Sequence, residues 1–145
     1  MDLYVKDSKN ALDRFFAIWK CFCHHSFRLP RIFHAIFFEK YSNSLNHDIK
    51  EYYTIFPEQL ENKEEDLRAM LIGNNIIERN LTILRPCVKQ GFIKEENLNS
   101  INEMIILVYQ GMLSRLLSGL AQYTVEEATD RILTYINQIF KSYRD

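Results

Sequence analysis

The residues of this chain best suited to binding a metal ion are grouped near its N-terminus. Cys21, Cys23, His24 and His25 stand close together, and Cys21 with His24 or His25 has the i+3 or i+4 spacing that places two ligands on one helix face. A tetrahedral site needs more ligands, and His34 would have to reach back from another helix. The sequence therefore favours packing roles for these side chains and predicts no metal.

Patterns that would indicate an enzyme are missing from the sequence. A globin-like haem site needs a histidine deep in the chain, but the four histidines are all in its first third, at His24, His25, His34 and His47. The Glu-x-x-His pairs of di-iron bundles, a glycine-rich phosphate loop, a Gly-x-Ser-x-Gly elbow and a His-Glu-x-x-His motif do not occur. We therefore predict that the chain is not an enzyme and uses no cofactor.

Aromatic residues make up 13% of the chain and are concentrated in its first half. Small-molecule sites between helices are often walled by such side chains around a few polar groups. Asn74 lies within an otherwise apolar seam, where a buried amide needs hydrogen-bonding partners. The predicted site for an apolar, ring-containing ligand consists of Phe16, Trp19, Phe33, Phe37, Asn74, Met104 and Tyr109. The alternative is a core in which these side chains close on one another.

Small residues form a second pattern, closer to the C-terminus. Gly111, Ser114, Ser118 and Ala121 recur at i, i+3, i+7 and i+10, which aligns them along one side of a helix. Such a stripe allows a neighbouring helix to approach closely. The neighbour is either another helix of the same chain or a helix of a second copy, and the spacing alone favours neither.

Both the aromatic ligand residues and the stripe of small residues depend on helices for their alignment. Helical periodicity is present through most of the chain. Apolar residues recur at three and four, and glycine (4) and proline (3) are scarce. We predict an all-α bundle of about six helices that forms a single domain over residues 1–145. The predicted helices are about Asp2 to His25, Arg31 to Tyr41 after Pro30, Asn46 to Phe56, Lys63 to Gln90 with a stop at Gly91, Glu95 to Leu120, and Thr124 to Arg144 with a Thr124–Glu127 capping box.

Charge and cysteine content limit the possible partners and the compartment. The 18 Lys and Arg residues are balanced by 19 Asp and Glu, whereas nucleic-acid-binding domains usually carry a basic excess. Three cysteines in a chain large enough to fold without disulfides indicate a reducing compartment, so we predict a cytoplasmic location. No segment approaches the roughly 20 consecutive apolar residues of a membrane span, and we predict no membrane contact.

The order of these features resembles the C-terminal domain of TetR-family transcriptional regulators. Asp2-Leu3-Tyr4 resembles the start of the helix that links that domain to the DNA-binding headpiece. Leu29-Pro30-Arg31-Ile32-Phe33 resembles the helix that follows it, and Leu84, Pro86, Gly91 and Ile93 resemble a later helix end, glycine stop and re-entry. The resemblance covers nearly the whole chain, but the family's helix-turn-helix headpiece has no counterpart in it.

This resemblance implies an effector-binding and dimerisation domain. An apolar small molecule would bind within the bundle and move the linker helix, and DNA would be contacted only through the missing helix-turn-helix. The last two helices of two copies would form the homodimer, with interface residues Gly111, Ser114, Ser118, Ala121, Ile132 and Ile136. The alternative is a structural or partner-binding helical bundle without a ligand cavity.

Overall fold

The computed structural model describes residues 8–38 and 75–144, and all regular structure within them is helical. The helices are α1 (Ala11–Ser26), α2 (Pro30–Phe38), α3 (Ile76–Lys89), α4 (Leu98–Ser118) and α5 (Val125–Ser142), with a 3-10 turn at Glu95–Asn97 before α4. The described ranges contain no strand, which confirms the predicted all-α bundle. They contain five α-helices rather than six, and the helix predicted for Asn46 to Phe56 lies outside them.

Two predicted helix starts are wrong, because asparagine caps begin both helices later in the chain. Asn10 is extended and its side chain accepts a hydrogen bond of 2.8 Å from the Asp13 N–H, so α1 begins at Ala11 and no continuous helix runs from Asp2. The Asn75 side chain likewise accepts a hydrogen bond of 3.1 Å from the Glu78 N–H, so α3 begins at Ile76 and not at Lys63. An asparagine at this position satisfies a backbone donor that lacks a helical partner.

Other helix ends follow the predictions. Pro30 opens α2, and Gly91 adopts the left-handed conformation, with φ of 81°, after α3. The Thr124 hydroxyl accepts a hydrogen bond from the Glu127 N–H, and the Glu127 carboxylate accepts one from the Thr124 N–H, both at 3.1 Å. This reciprocal pair is the predicted capping box of α5.

We expect Thr124→Ala to lower the free energy of unfolding by about 1 kcal/mol, because the first turn of α5 loses its cap. Urea denaturation followed by circular dichroism measures this change. Thr134→Ala is the matched control, since Thr134 is exposed on the same helix and bonds only to the carbonyl of Asp130. Equal losses for the two variants would contradict a capping role.

The helices pack around α4. It contacts α2, α3 and α5, while α1 contacts α3 and α5. The largest fully buried side chains are Trp19, Tyr109, Phe15, Phe22, Phe33 and Phe140. None of the described helices combines the length and the apolar character that crossing a membrane requires.

Candidate functional site

A chain of side-chain hydrogen bonds crosses the centre of the bundle. The Trp19 indole N–H donates to the Asn80 Oδ1 at 2.8 Å, and the Asn80 Nδ2 donates to the Asn102 Oδ1 at 2.7 Å. The Asn102 Nδ2 then donates to the backbone carbonyl of Ile77 at 3.2 Å. Trp19 and Asn80 are 0% exposed and Asn102 is 4% exposed. This amide network therefore joins α1, α3 and α4 and gives each of its buried side chains at least one hydrogen-bonding partner.

The sequence analysis identified neither asparagine. On α3 it followed a seam through Ile77, Leu81, Leu84 and Val88, which shares Leu84 with the buried face but otherwise runs one residue beyond it. The predicted seam included Ile77, but Ile77 is 57% exposed. The buried residues are Ile76, Asn80, Ile83, Leu84 and Cys87, which recur at helical spacing. The position of Asn80 within this apolar spacing is the sequence feature that could have predicted a buried amide. Asn74, the predicted polar anchor, lies outside the described residues.

Four of the predicted ligand residues belong to one aromatic cluster around Trp19. The Trp19 ring centroid lies 5.4 Å from that of Tyr109 and 5.3 Å from that of Phe22, in edge-to-face contact. The Phe37 ring centroid lies 5.8 Å from that of Phe22 and 5.9 Å from that of Phe33. At these separations the rings contact one another directly. The rings themselves therefore fill the space between Trp19, Phe22 and Tyr109.

The other two predicted ligand residues within the described ranges have different neighbours. Phe16 packs against Phe140 of α5, with ring centroids 5.7 Å apart. Met104 is half-buried on α4 and does not share the buried face of that helix. Phe16 is linked to Trp19 through Phe15, whose ring centroid lies 6.1 Å from that of Phe16 and 6.3 Å from that of Trp19, so Met104 is the described ligand candidate that lies apart from these rings.

Burial keeps the titratable groups of the core protonated. It raises the pKa of the Tyr109 phenol well above its usual range, with a smaller opposing effect from the Ser26 hydroxyl nearby. The two hydroxyls lie close together but do not reach hydrogen-bonding geometry. Burial also raises the pKa of the Cys87 thiol to about 11 and that of Cys23 well above its usual value. At neutral pH neither a thiolate nor a phenolate is therefore available at these positions.

An open groove of about 470 Å³ lies beside the amide network, between the end of α2, the start of α3 and the middle of α4. Its volume falls in the range of roughly 300–1,000 Å³ that is typical of small-molecule sites. The described residues that line it are Phe37, Phe38, Asn75, Ile76, Ile77, Leu81, Asn99, Asn102, Glu103, Ile106, Leu107 and Gln110. Asn102 belongs to both the groove and the network, so it connects the surface to the buried Trp19.

The last two helices present an uncovered apolar face. Leu107, Leu120 and Tyr135 are 58%, 78% and 36% exposed. They border a concavity of about 280 Å³ that is also lined by Gly111, Ala121 and the charged Arg115. Two members of the predicted small-residue stripe therefore lie on this face.

The four remaining predicted interface residues differ from one another in exposure and in their contacts. The Ser114 hydroxyl lies 3.2 Å from the His34 Nε2 of α2, a contact within the chain. The Ser118 side chain is exposed and donates to the Arg115 carbonyl. Ile132 and Ile136 are 0% exposed. These two isoleucines belong to the core of this chain, and Ile132 also lines the concavity on the apolar face.

The cysteines and histidines do not form a metal centre in the part of the chain that the structure describes. No group of three or more His, Cys, Asp or Glu side chains comes together there. Cys21, Cys23 and Cys87 are all buried, and no disulfide joins them. His47 lies outside the described residues.

Comparison with known proteins identifies no relative. No protein-family model, curated protein or solved structure matches this chain. Three features of the chain itself bear on its function: the amide network, the groove beside it, and the apolar face of α4 and α5.

Proposed function

We propose that this chain is the effector-binding and dimerisation domain of a TetR-type transcriptional regulator. The observation that carries the proposal is the uncovered apolar face of α4 and α5, centred on Leu107, Gly111 and Leu120. Large apolar side chains exposed together on one face indicate an interaction surface, whereas singly exposed ones do not. A second copy would cover this face on both protomers, because a two-fold interface uses the same patch twice.

The backbone at the centre of this face is open to close approach. A Cβ atom added to Gly111 would meet no heavy atom within 4 Å, so nothing in the described part of this chain requires a glycine there. Arg131 stacks over the Tyr123 ring at 4.4 Å beside the concavity. A polar or charged edge around an apolar centre is the usual arrangement of a protein interface.

The groove beside Asn102 is the proposed effector site. Its volume and its mixture of apolar walls with a few polar groups suit a small amphipathic molecule. The aromatic cluster around Trp19 is not the proposed site, because its rings pack directly against one another. Leu107 lines both the groove and the concavity on the dimer face. A ligand that displaces Leu107 would therefore change the dimer surface, which links effector binding to the arrangement of two protomers. DNA contact and a cytoplasmic location are parts of the same proposal.

The dimer is tested by sedimentation equilibrium of Gly111→Arg and Leu120→Glu. We expect each variant to raise the dimer dissociation constant by at least about tenfold, because an isologous interface buries every new charge twice. Both positions are exposed, so the fold should persist, as circular dichroism will show. Thr82→Arg adds the same charge at an exposed site on α3 and should leave the dissociation constant unchanged. Parent-like dimers in both test variants would exclude this face as the interface.

A partner-binding bundle without a ligand cavity is the second candidate function. The mutual packing of Trp19, Phe22 and Tyr109 favours it, because these rings fill the space between them and leave no ligand site there. The two candidates differ in their response to small apolar compounds. Compounds that bind the native state raise Tm, and a panel of apolar aromatic compounds that never does so would favour the second candidate.

A further inference from the structure

Asn102 has hydrogen-bonding capacity that its present contacts do not use. A side-chain amide has two N–H donors and two carbonyl lone pairs. Its contacts with Asn80 and with the Ile77 carbonyl use one acceptor site and one donor. Among the described residues, no group uses the other N–H and the other lone pair of this side chain, which is only 4% exposed and lines the groove.

The charges around the groove restrict the head group that Asn102 would bind. Glu103 is the charged side chain among the described lining residues, and no Lys, Arg or His joins it there. A carboxylate ligand would meet no cation among the described lining residues and can only accept hydrogen bonds. An ammonium can only donate them, and its attraction to Glu103 is weakened by solvent because that side chain is exposed. An uncharged group that both donates and accepts, such as a hydroxyl, complements the two unused positions of the amide.

The apolar side chains of the groove indicate the chemistry of the part of the ligand beyond its head group. Phe37, Ile106 and Leu107 provide apolar wall on α2 and α4, and Ile77 extends it on α3. An alkyl chain or ring placed against these side chains would be removed from water, which favours binding in proportion to the apolar area covered. The ligand class is therefore amphipathic and uncharged.

We propose that the groove binds an uncharged amphipathic molecule whose hydroxyl-type head group bonds to Asn102, and that Asn80 transmits this contact to Trp19. The proposal rests on the effector-binding function proposed above. A head group that turns or pulls the Asn102 amide alters its bond to Asn80, and Asn80 is the acceptor of the Trp19 indole N–H. Since Trp19 is the single tryptophan, its emission reports the state of the network.

Three probes of equal chain length test the head group: 1-octanol, sodium octanoate and octylamine, added to the full chain at pH 7. We expect 1-octanol to raise Tm and to change Trp19 emission. Octanoate and octylammonium should need at least about tenfold higher concentration, as expected when a hydrogen bond at a buried group is lost. Equal potency of all three probes, or no response to 1-octanol, would overturn the proposal.

Asn102→Ala tests the amide itself, with Asn137→Ala on α5 as the matched control, because Asn137 is not among the described residues that line the groove. We expect at least about tenfold weaker octanol binding in Asn102→Ala and a change within about twofold in Asn137→Ala. Undiminished binding to folded Asn102→Ala would overturn the assignment. A rise in Tm without any change in Trp19 emission would overturn the coupling.

Ile77→Lys provides a test that leaves the network side chains in place. Ile77 is 57% exposed and contributes only its backbone carbonyl to Asn102, so the variant should fold. The new cation should make octanoate a more potent ligand than 1-octanol. If 1-octanol remains the more potent of the two, the octanol site lies elsewhere. Apolar aromatic compounds that raise Tm while 1-octanol fails would overturn this inference and leave the proposed effector function standing.

Discussion

Asn80→Ala is expected to lower the free energy of unfolding by about 3 kcal/mol. The substitution leaves the Trp19 N–H and the Asn102 Oδ1 without their partners, and each buried polar group left unsatisfied costs about 1–3 kcal/mol. The missing amide atoms also leave a small cavity, which adds to the loss. Urea denaturation followed by circular dichroism measures the change without depending on Trp19 emission.

Two further variants separate the sources of this loss. Asn80→Leu keeps most of the side-chain volume but cannot hydrogen-bond, so a loss of about 2 kcal/mol there would be due to the unpaired groups. Arg79→Ala alters the preceding, exposed residue and should stay within about 0.5 kcal/mol of the parent. A Leu variant as stable as the parent would show that the network contributes nothing to stability.

Phe140→Ala is expected to have the largest effect on stability, a loss of about 3–5 kcal/mol. Phe140 is 1% exposed and joins the last helix to the first. Its ring centroid lies 5.6 Å from Phe15, edge-to-face, and 5.7 Å from Phe16. Removing the ring therefore eliminates two aromatic contacts and opens a cavity between α1 and α5. The same urea titration measures this loss.

Ile139→Ala is the control for Phe140→Ala, because Ile139 precedes it on the same helix and is only half-buried. We expect Ile139→Ala to cost about 1 kcal/mol, since part of its apolar area is already in water. Similar losses at the two positions would mean that α5 does not depend on the aromatic junction with α1.

The predicted ligand site shows that the sequence indicates helices more reliably than it indicates which residues of a helix face the core. Of the seven predicted ligand residues, Trp19, Phe33, Phe37 and Tyr109 are linked through ring contacts that include Phe22. Each of them lies on an apolar face that helical spacing predicts. Asn80 was not predicted, because a rotation of α3 by one residue exchanges Ile77 for Ile76 on the buried face. In a helix each step turns the side chain by about 100°, so a shift of one position moves a residue from core to solvent.

The small-residue stripe shows a second limit. Its spacing aligns Gly111 and Ser114 on α4 but does not identify the neighbouring surface. The structure places Ser114 against His34 of the same chain and leaves Gly111 open to solvent. Residues that share one sequence pattern therefore have different neighbours, because α2 covers one part of α4 and none of the described helices covers Gly111.

The sequence by itself determined the all-helical class and several helix ends, among them the Thr124–Glu127 capping box and the glycine stop at Gly91. These features depend on residues within one or two helical turns, so local spacing and side-chain chemistry are sufficient. The tertiary structure alone decided that Trp19, Asn80 and Asn102 form one network and that a groove opens beside it. The Trp19–Asn80 bond joins residues 61 positions apart and the Asn80–Asn102 bond residues 22 apart. Contacts over such separations depend on how whole helices pack against one another, and local sequence patterns do not specify that packing.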